Sequence, residues 1–557
     1  MLNANPIAAA ARPVLPWRGG LLLALAWTAI CGWLYAGVMR EYYPQGDEWA
    51  LLASSQPPWA NPLSWWHDLS YYFVPGDNGS TGSHFIRPFF NLAYWLQGWF
   101  LSPESGLRLM YNFIMAAVCA GLVYVCAPSG ADGRRGLAAL LAVGVPLLPA
   151  FLPAKIYIAP CLAFDPQGAA CCLLAWLAYQ RGRYGWAALA LFVAVFTKET
   201  SLPVAAAVPA TYALANWRGL LAQRRPRLDL ALLCLPVLAW LTVRAAFGEA
   251  VVGGTYAFAD PMGALRNAYK MAIRWPFWIE TTPWHLAPGL NATYLANVLF
   301  TLLNLASLAA AAGILLYRLA SRSALRLHES AFIASYAFMT VVGTIPRYGC
   351  TTEVFLALCI AHWALARPRL QPLLGSAYAA ALVAAAVPAW QVFPHDRALQ
   401  SAYQKLAPDY VNLLRKYGPD DRVIVFNDPV TLFSETATLN RVAGVKAKVD
   451  KVAAFVCHDD FQNLFKSCPV QLKPGATPLS YDFEQACGMD VCGSLRPHDQ
   501  PIPVPVGDDA EASLLPGPAE AGAPPLWTTA HLQLKHGGVH LVYFDPTTRS
   551  FNDSFVP

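Results

Sequence analysis

Charge is what this sequence has least of. Only 13% of its 557 residues are Asp, Glu, Lys or Arg, about half the share of a water-soluble domain. Much of its surface must therefore face something other than water. Metal-ligand spacing is missing too. Thirteen cysteines are present, but the nine before residue 392 stand singly or as Cys171–Cys172, which suits small apolar filler. The first apolar run, Gly20 to Val38, is followed by no A-x-A cleavage site and is too long for a signal-peptide core. It reads as a retained anchor. No internal repeat is visible, so the inverted repeats common in secondary transporters find no support.

What the chain does have is apolar length. It is 56% hydrophobic with a mean hydropathy of +0.37, and apolar runs near the bilayer-spanning length of about 20 residues recur. Its 19 tryptophans and 24 tyrosines fit two aromatic interface belts. Eleven spans are expected, over 20–38, 108–128, 137–153, 158–179, 185–197, 201–217, 229–247, 294–317, 330–346, 351–366 and 373–391. An N-terminus in the cytoplasm puts Arg134–Arg135, Arg181 with Arg183, and Arg218 with Arg224, Arg225 and Arg227 inside. Arg318, Arg322, Arg326, Arg367 and Arg369 fall inside as well, as the positive-inside rule requires. Of the acidic residues among these spans, Asp132, Asp229 and Glu329 are the exceptions on the inner side.

Charge also divides the chain. Residues 1–391 hold 25 basic and 15 acidic side chains, whereas residues 392–557 hold 14 and 19. The division predicts a basic membrane domain over 1–391 and an acidic soluble domain over 392–557, outside the cytoplasm. The membrane domain has a pair of long outer segments. Residues 39–107 contain two stretches suited to lie on the membrane, Asp47–Tyr72 and Arg87–Phe100. Residues 248–293 are rich in Trp, Pro and Gly, with Arg266, Lys270 and Arg274 on one helical face. In the tail, Arg422 to Asn427 reads as a buried strand, His531 to Phe544 as a hairpin turning at Gly537–Gly538, and 496–525 as a loop. Cys457, Cys468, Cys487 and Cys492 favour disulfides there; three pairings are possible, of which 457 with 468 and 487 with 492 joins neighbours.

Ionisable groups at membrane boundaries are costly and point to function. Asp47–Glu48 follows the first span closely and could supply a carboxylate to accept a proton; the same pair could simply cap the helix that begins there. His84-Phe-Ile-Arg87-Pro88 opens the second interfacial stretch, where Arg87 can meet a phosphate or a lipid headgroup. Asp165 lies at the outer end of the fourth span. Thr197-Lys198-Glu199 separates two spans of roughly 13 and 17 residues, too short for a hydrocarbon core of about 30 Å. That charged turn must face protein or a wet cavity. Internal pairing of Lys198 with Glu199 or Asp165 is the alternative. Arg347 and Tyr348 close the ninth span on the same side.

Together, the acidic pair after the first span, two interfacial stretches with Arg-Pro opening the second, the Lys turn and the late Arg-Tyr resemble the GT-C glycosyltransferase superfamily. The resemblance is to its branch of protein O-mannosyltransferases and lipid A aminoarabinose transferases. It runs over residues 18–391, and its closest local matches are GDEW at 46–49, HFIRPFFNLAYWL at 84–96, Arg108, and FTKETSLP at 196–203. Pro-Phe after Arg87 departs from the usual Pro-Pro or Pro-Leu. It implies a membrane all-α fold of about eleven spanning helices and two interfacial helices, followed by a small C-terminal mixed α/β soluble domain. It implies transfer of a sugar from a polyprenyl-phosphate donor to a hydroxyl of a lipid, glycan or protein acceptor, outside the cytoplasm of a bacterial inner membrane. By resemblance Asp47 is the general base, with Glu48 beside it, and Arg87 binds donor phosphate. Lys198 and Arg347–Tyr348 line the same pocket, with His84, Asp165 and Glu199 at the same face. No cofactor is required; a divalent metal is compatible, though no spacing demands one. No nucleic acid is expected as partner. A flippase of lipid-linked sugars, a polysaccharide polymerase or ligase, and a scaffold working through its tail are the alternatives.

Overall fold

Long Ala-, Leu- and Val-rich runs with few breakers favour helix through the first 400 residues, and Arg- or Pro-bearing turns divide them. The computed structural model describes residues 17–42, 87–102, 105–128, 135–148, 163–246, 308–321, 325–342, 349–367, 371–427, 443–452, 470–489, 501–504, 506–516 and 527–557, with a few single positions between. The chain divides into two units. One is Met1–Met39, Leu63–Gln97 and Gly106–Asp396; the other is Arg40–Pro62, Gly98–Ser105 and Arg397–Pro557. Described helices in chain order are α1 Trp17–Leu34, α2 Ala36–Arg40, α3 Pro88–Gly98, α4 Met110–Cys126, α5 Arg135–Gly144, α6 Phe164–Gln180, α7 Tyr184–Val195, α8 Leu202–Ala222, α9 Arg224–Ala246, α10 Leu308–Ala320, α11 Leu327–Val342, α12 Cys350–Ala366 and α13 Gln371–Leu414.

In the first unit α4 is central. Its Phe113, Ala116, Ala117, Cys119, Ala120 and Val123 are buried, with α1 and α6 packed against it. Helix α1 is the opposite case: Leu22 is 67% and Trp33 78% exposed. Apolar side chains turned outward in this number suit a hydrocarbon surrounding rather than water. Against the eleven spans expected, three helices among the described residues are long and apolar enough to cross a membrane: Trp17–Leu34, Gly106–Cys126 and Arg224–Ala245. Parts of the other expected spans lie outside the described residues, and two of the described helices are short or interrupted. Helix α7 has 12 residues, about 18 Å at 1.5 Å per residue. Helix α8 is longer, but its dihedrals leave the helical range at Asn216, whose amide bonds back to the Tyr212 carbonyl at 3.0 Å. Two of the acids expected on the inner side are paired locally. Glu329 takes two bonds from Arg318, at 2.8 and 3.0 Å, and Asp229 accepts one from the Tyr212 hydroxyl at 3.3 Å. Asp132, the stretch Asp47–Tyr72 and residues 248–293 lie outside the described residues.

The second unit contains two sheets. The strands are β1 Arg422–Val425, β2 Lys448–Lys451, β3 Val470–Pro474, β4 Ser480–Met489, β5 Ile502–Val504, β6 Ala510–Pro516, β7 Trp527–Leu534, β8 Val539–Asp545 and β9 Ser550–Val556. One sheet is mixed, in the order β2-β1-β8-β9, and the other is antiparallel, β3-β4-β7-β6-β5. Strand β1 runs parallel to both of its neighbours, and its unbroken apolar sequence is that of a strand covered on both faces. Val423 and Val425 pack with Leu406, Tyr410 and Leu414 of α13. Ile424 and Phe426 pack the other way, with Phe483, Leu514 and Leu532 of the antiparallel sheet.

Two expectations for the tail are corrected, and a third finds no support. The stretch His531–Phe544 is not a hairpin: β7 and β8 belong to different sheets, and β8 pairs instead with β9. Gly538, at φ +78°, turns the chain from one sheet to the other, and its N–H bonds the Val556 carbonyl at 2.8 Å. Nor is 496–525 a loop throughout, because β5 and β6 fall within it. Ala510, Ala512 and Leu514 are buried in alternation, a period of two masked by the surrounding Pro and Asp. The disulfides are not supported. All eight cysteines whose side chains are described are free; Cys457, Cys468 and Cys492 lie outside the described residues, and Cys487 is described by its backbone in β4.

Candidate functional site

Two adjacent aromatics anchor the helix that carries Arg87. Proline at the start of α3 supplies a φ already suited to helix and lacks an N–H that would go unpaired there. From that start Phe89 reaches the Phe192 ring of α7, with centroids 5.9 Å apart. Phe90 meets Phe164 of α6 edge-on at 5.2 Å. One turn later the buried Tyr94 lies under the guanidinium of Arg108, 5.2 Å from its ring centroid. Arg108 itself is 2% exposed, in the 3-10 turn Gly106–Leu109 ahead of α4. The Pro-Phe-Phe sequence thus holds the residue before it, Arg87, against the first turn of α6.

The Lys turn forms because the chain cannot continue as helix. After α7 ends at Val195, the Thr197 hydroxyl bonds back to the Val193 carbonyl at 2.7 Å. Lys198 is extended, at φ −154° and ψ 127°. Glu199–Ser201 makes one 3-10 turn, and Pro203 stands in the opening turn of α8. Helix α6 approaches this turn closely at Gly168, where a Cβ would stand 2.7 Å from Oγ of Ser201. A methyl added there would have to displace the Ser201 hydroxyl.

Arg87, Lys198 and Glu199 meet there. The guanidinium donates to the Glu199 carboxylate through Nε at 3.1 Å and Nη2 at 2.7 Å, a fork-to-fork pair. Nζ of Lys198 lies 2.9 Å from the same Oε1. Both cations also sit over one ring, Phe164, at 4.7 Å for Arg87 and 4.4 Å for Lys198. Lys198 is wholly buried, while the side chains of Arg87 and Glu199 are 15% and 25% exposed. Burial works against the charge of Glu199, but Arg87 and Lys198 outweigh it and hold this carboxyl, in the turn between α7 and α8, well below the usual carboxylate range. Asp165 follows Phe164 in the first turn of α6 and is 1% exposed.

Of the nine residues singled out from the sequence, Arg87, Lys198 and Glu199 are thus in direct contact, and Asp165 stands next in chain to the ring that both cations share. Asp47, Glu48, His84, Arg347 and Tyr348 lie outside the described residues. Pairing of Lys198 with Glu199, the alternative raised for the turn, is what the structure contains. One residue was missed. Phe164, the ring beneath both cations, precedes Asp165 and could have been noted with it. Among the described residues no group of three or more His, Cys, Asp or Glu could hold a metal ion.

No family model matches the chain, and no curated protein matches it. Among solved structures it is similar to the crystal structure of ArnT from Cupriavidus metallidurans in the apo state. The similarity covers 80% of this chain and 87% of that one, at 14% sequence identity and a TM-score of 0.40. A likeness of that size carries no inference about activity, which has to come from the side chains.

Proposed function

We propose that this protein is a membrane glycosyltransferase that moves a sugar from a polyprenyl-phosphate donor to an acceptor hydroxyl on the non-cytoplasmic face of a bacterial inner membrane. The observation that carries the reading is the meeting of Arg87 and Lys198 over Phe164, beside the buried Asp165. A phosphate leaving an anomeric carbon gains negative charge, and two fixed cations in a site of low dielectric stabilise it. Arginine contributes a planar fork matched to two phosphate oxygens, and lysine a compact point charge. The acceptor hydroxyl must lose its proton as it attacks, and Asp47 is assigned to take it. Transfer of this kind inverts the anomeric centre, because attack and departure take place on opposite faces. The acceptor is the hydroxyl of a lipid, a glycan or a protein.

Asp47→Asn tests the assignment. It removes the base and leaves the cations, so transfer should fall by about 10²–10⁴-fold while the affinity for undecaprenyl phosphate stays at the wild-type value. Sugar transfer and lipid binding measured on the same purified protein check both halves. Normal turnover by Asp47→Asn would remove the catalytic role and favour a flippase, which needs phosphate-binding cations but no base.

A further inference from the structure

The two cations assigned to the donor phosphate are already engaged by an anion of the chain itself. Glu199 takes Nε and Nη2 of Arg87 at 3.1 and 2.7 Å, and its Oε1 is also 2.9 Å from Nζ of Lys198. A guanidinium fork fits a carboxylate and a phosphate alike, since each presents two acceptor oxygens. A phosphate arriving at these cations must therefore share them with Glu199 or displace it. Sharing would set two anions against each other, which is unfavourable where water is scarce. Displacement is the easier course, because of the three charged side chains Glu199 is the most exposed, at 25%, and Lys198 is wholly enclosed.

We propose that Glu199 is a placeholder for the donor phosphate: its carboxylate takes the position of a phosphate between Arg87 and Lys198, and donor binding exchanges the one for the other at Arg87. The inference rests on the glycosyltransferase reading and narrows it. The exchange selects ligands by headgroup, since a lipid ending in a neutral hydroxyl offers Arg87 one uncharged acceptor in place of a two-oxygen anion. It also keeps the two cations pre-arranged, as the fork of Arg87 is held in the plane that a phosphate would use.

The test is binding of undecaprenyl phosphate to the full-length protein in detergent, with the neutral alcohol undecaprenol as control. Glu199→Gln keeps the size and one acceptor oxygen of the side chain while removing the competing charge. It should bind the phosphate about tenfold more tightly than wild type, the size of one charge-assisted bond that no longer has to be broken. Its binding of undecaprenol should be unchanged. Glu199→Asp, which shortens the arm and loosens the fork without altering charge, should shift affinity the same way by less, and serves if the Gln variant fails to fold. Equal or weaker binding of the phosphate by the folded variants would overturn the placeholder and leave Glu199 as a residue that merely positions Arg87. The parent reading fails separately, if wild type binds no undecaprenyl phosphate or if Arg87→Ala leaves that binding unaltered.

Discussion

Arg87 shows what a single residue owes to its surroundings. Its charge alone would not distinguish it from the other arginines of the chain; its value comes from the planar fork and from the Phe164 face beneath it. A conservative exchange tests this. Arg87→Lys retains the charge but loses two-point contact and ring stacking. It is expected to lower kcat/KM for a polyprenyl-phosphate sugar by about tenfold to a hundredfold, the worth of one hydrogen bond to a charged group. Steady-state transfer kinetics check it, and a variant as active as wild type would place the phosphate elsewhere. In the sequence the Arg-Pro step was legible, because proline fixes the helix start. The ring below it was not, since Phe164 is 77 positions away and aromatic residues are common here.

At the scale of elements, two contacts decide whether neighbouring segments stay in register. The first is the approach of α6 to the Lys turn at Gly168. Valine there would drive a β-branched side chain into Ser201. Overpacking of this kind costs about 1–3 kcal/mol, and the displaced turn should also lose its hold on undecaprenyl phosphate. A lowered unfolding midpoint together with weakened lipid binding is the expected pair of results for Gly168→Val; lipid binding at the wild-type level would show that the turn does not depend on this packing. The second contact lies in the tail, where Asp509 is paired with Arg422 of β1 and accepts a bond from Lys448 of β2 at 2.8 Å. The Lys448 bond above all, with help from His536 and the charge of Arg422, lowers the Asp509 carboxyl from 3.8 to about 2. A depressed acid stabilises the fold fully above its unfolded-state value and loses that contribution as pH falls through the folded one. Acid unfolding between about pH 4 and pH 2 should therefore be steeper in wild type than in Asp509→Asn, as followed by tail-strand circular dichroism or hydrogen exchange on the full chain. Identical acid limbs would contradict the pairing.

For the molecule as a whole the testable statement is orientation. On the eleven spans expected from the sequence the short basic clusters share one parity, and Glu329 and Asp229, which break that pattern, are locally paired with Arg318 and Tyr212. Paired acids of this sort do not compete with the positive-inside rule, which is set by Lys and Arg. A reporter enzyme active only outside the cytoplasm, fused after Pro557, should be active; activity instead from a cytoplasm-only reporter at the same position would invert the topology.

The amino-acid sequence alone carried the contrast between an apolar, basic first part and an acidic tail. Low charge and long apolar runs depend on composition and need no partner to be read, and β1 was legible because Val-Ile-Val-Phe is apolar on both faces. The approach of Arg87 to Lys198 and Glu199 was settled only by tertiary structure, which closes a gap of 112 positions by packing Phe89, Phe90 and Tyr94 against three other segments. The same holds for β7 and β8. Local spacing around Gly537–Gly538 suits a hairpin, but strand pairing is decided by which buried faces meet, and Leu532 and Leu541 reach their shared core from different sheets.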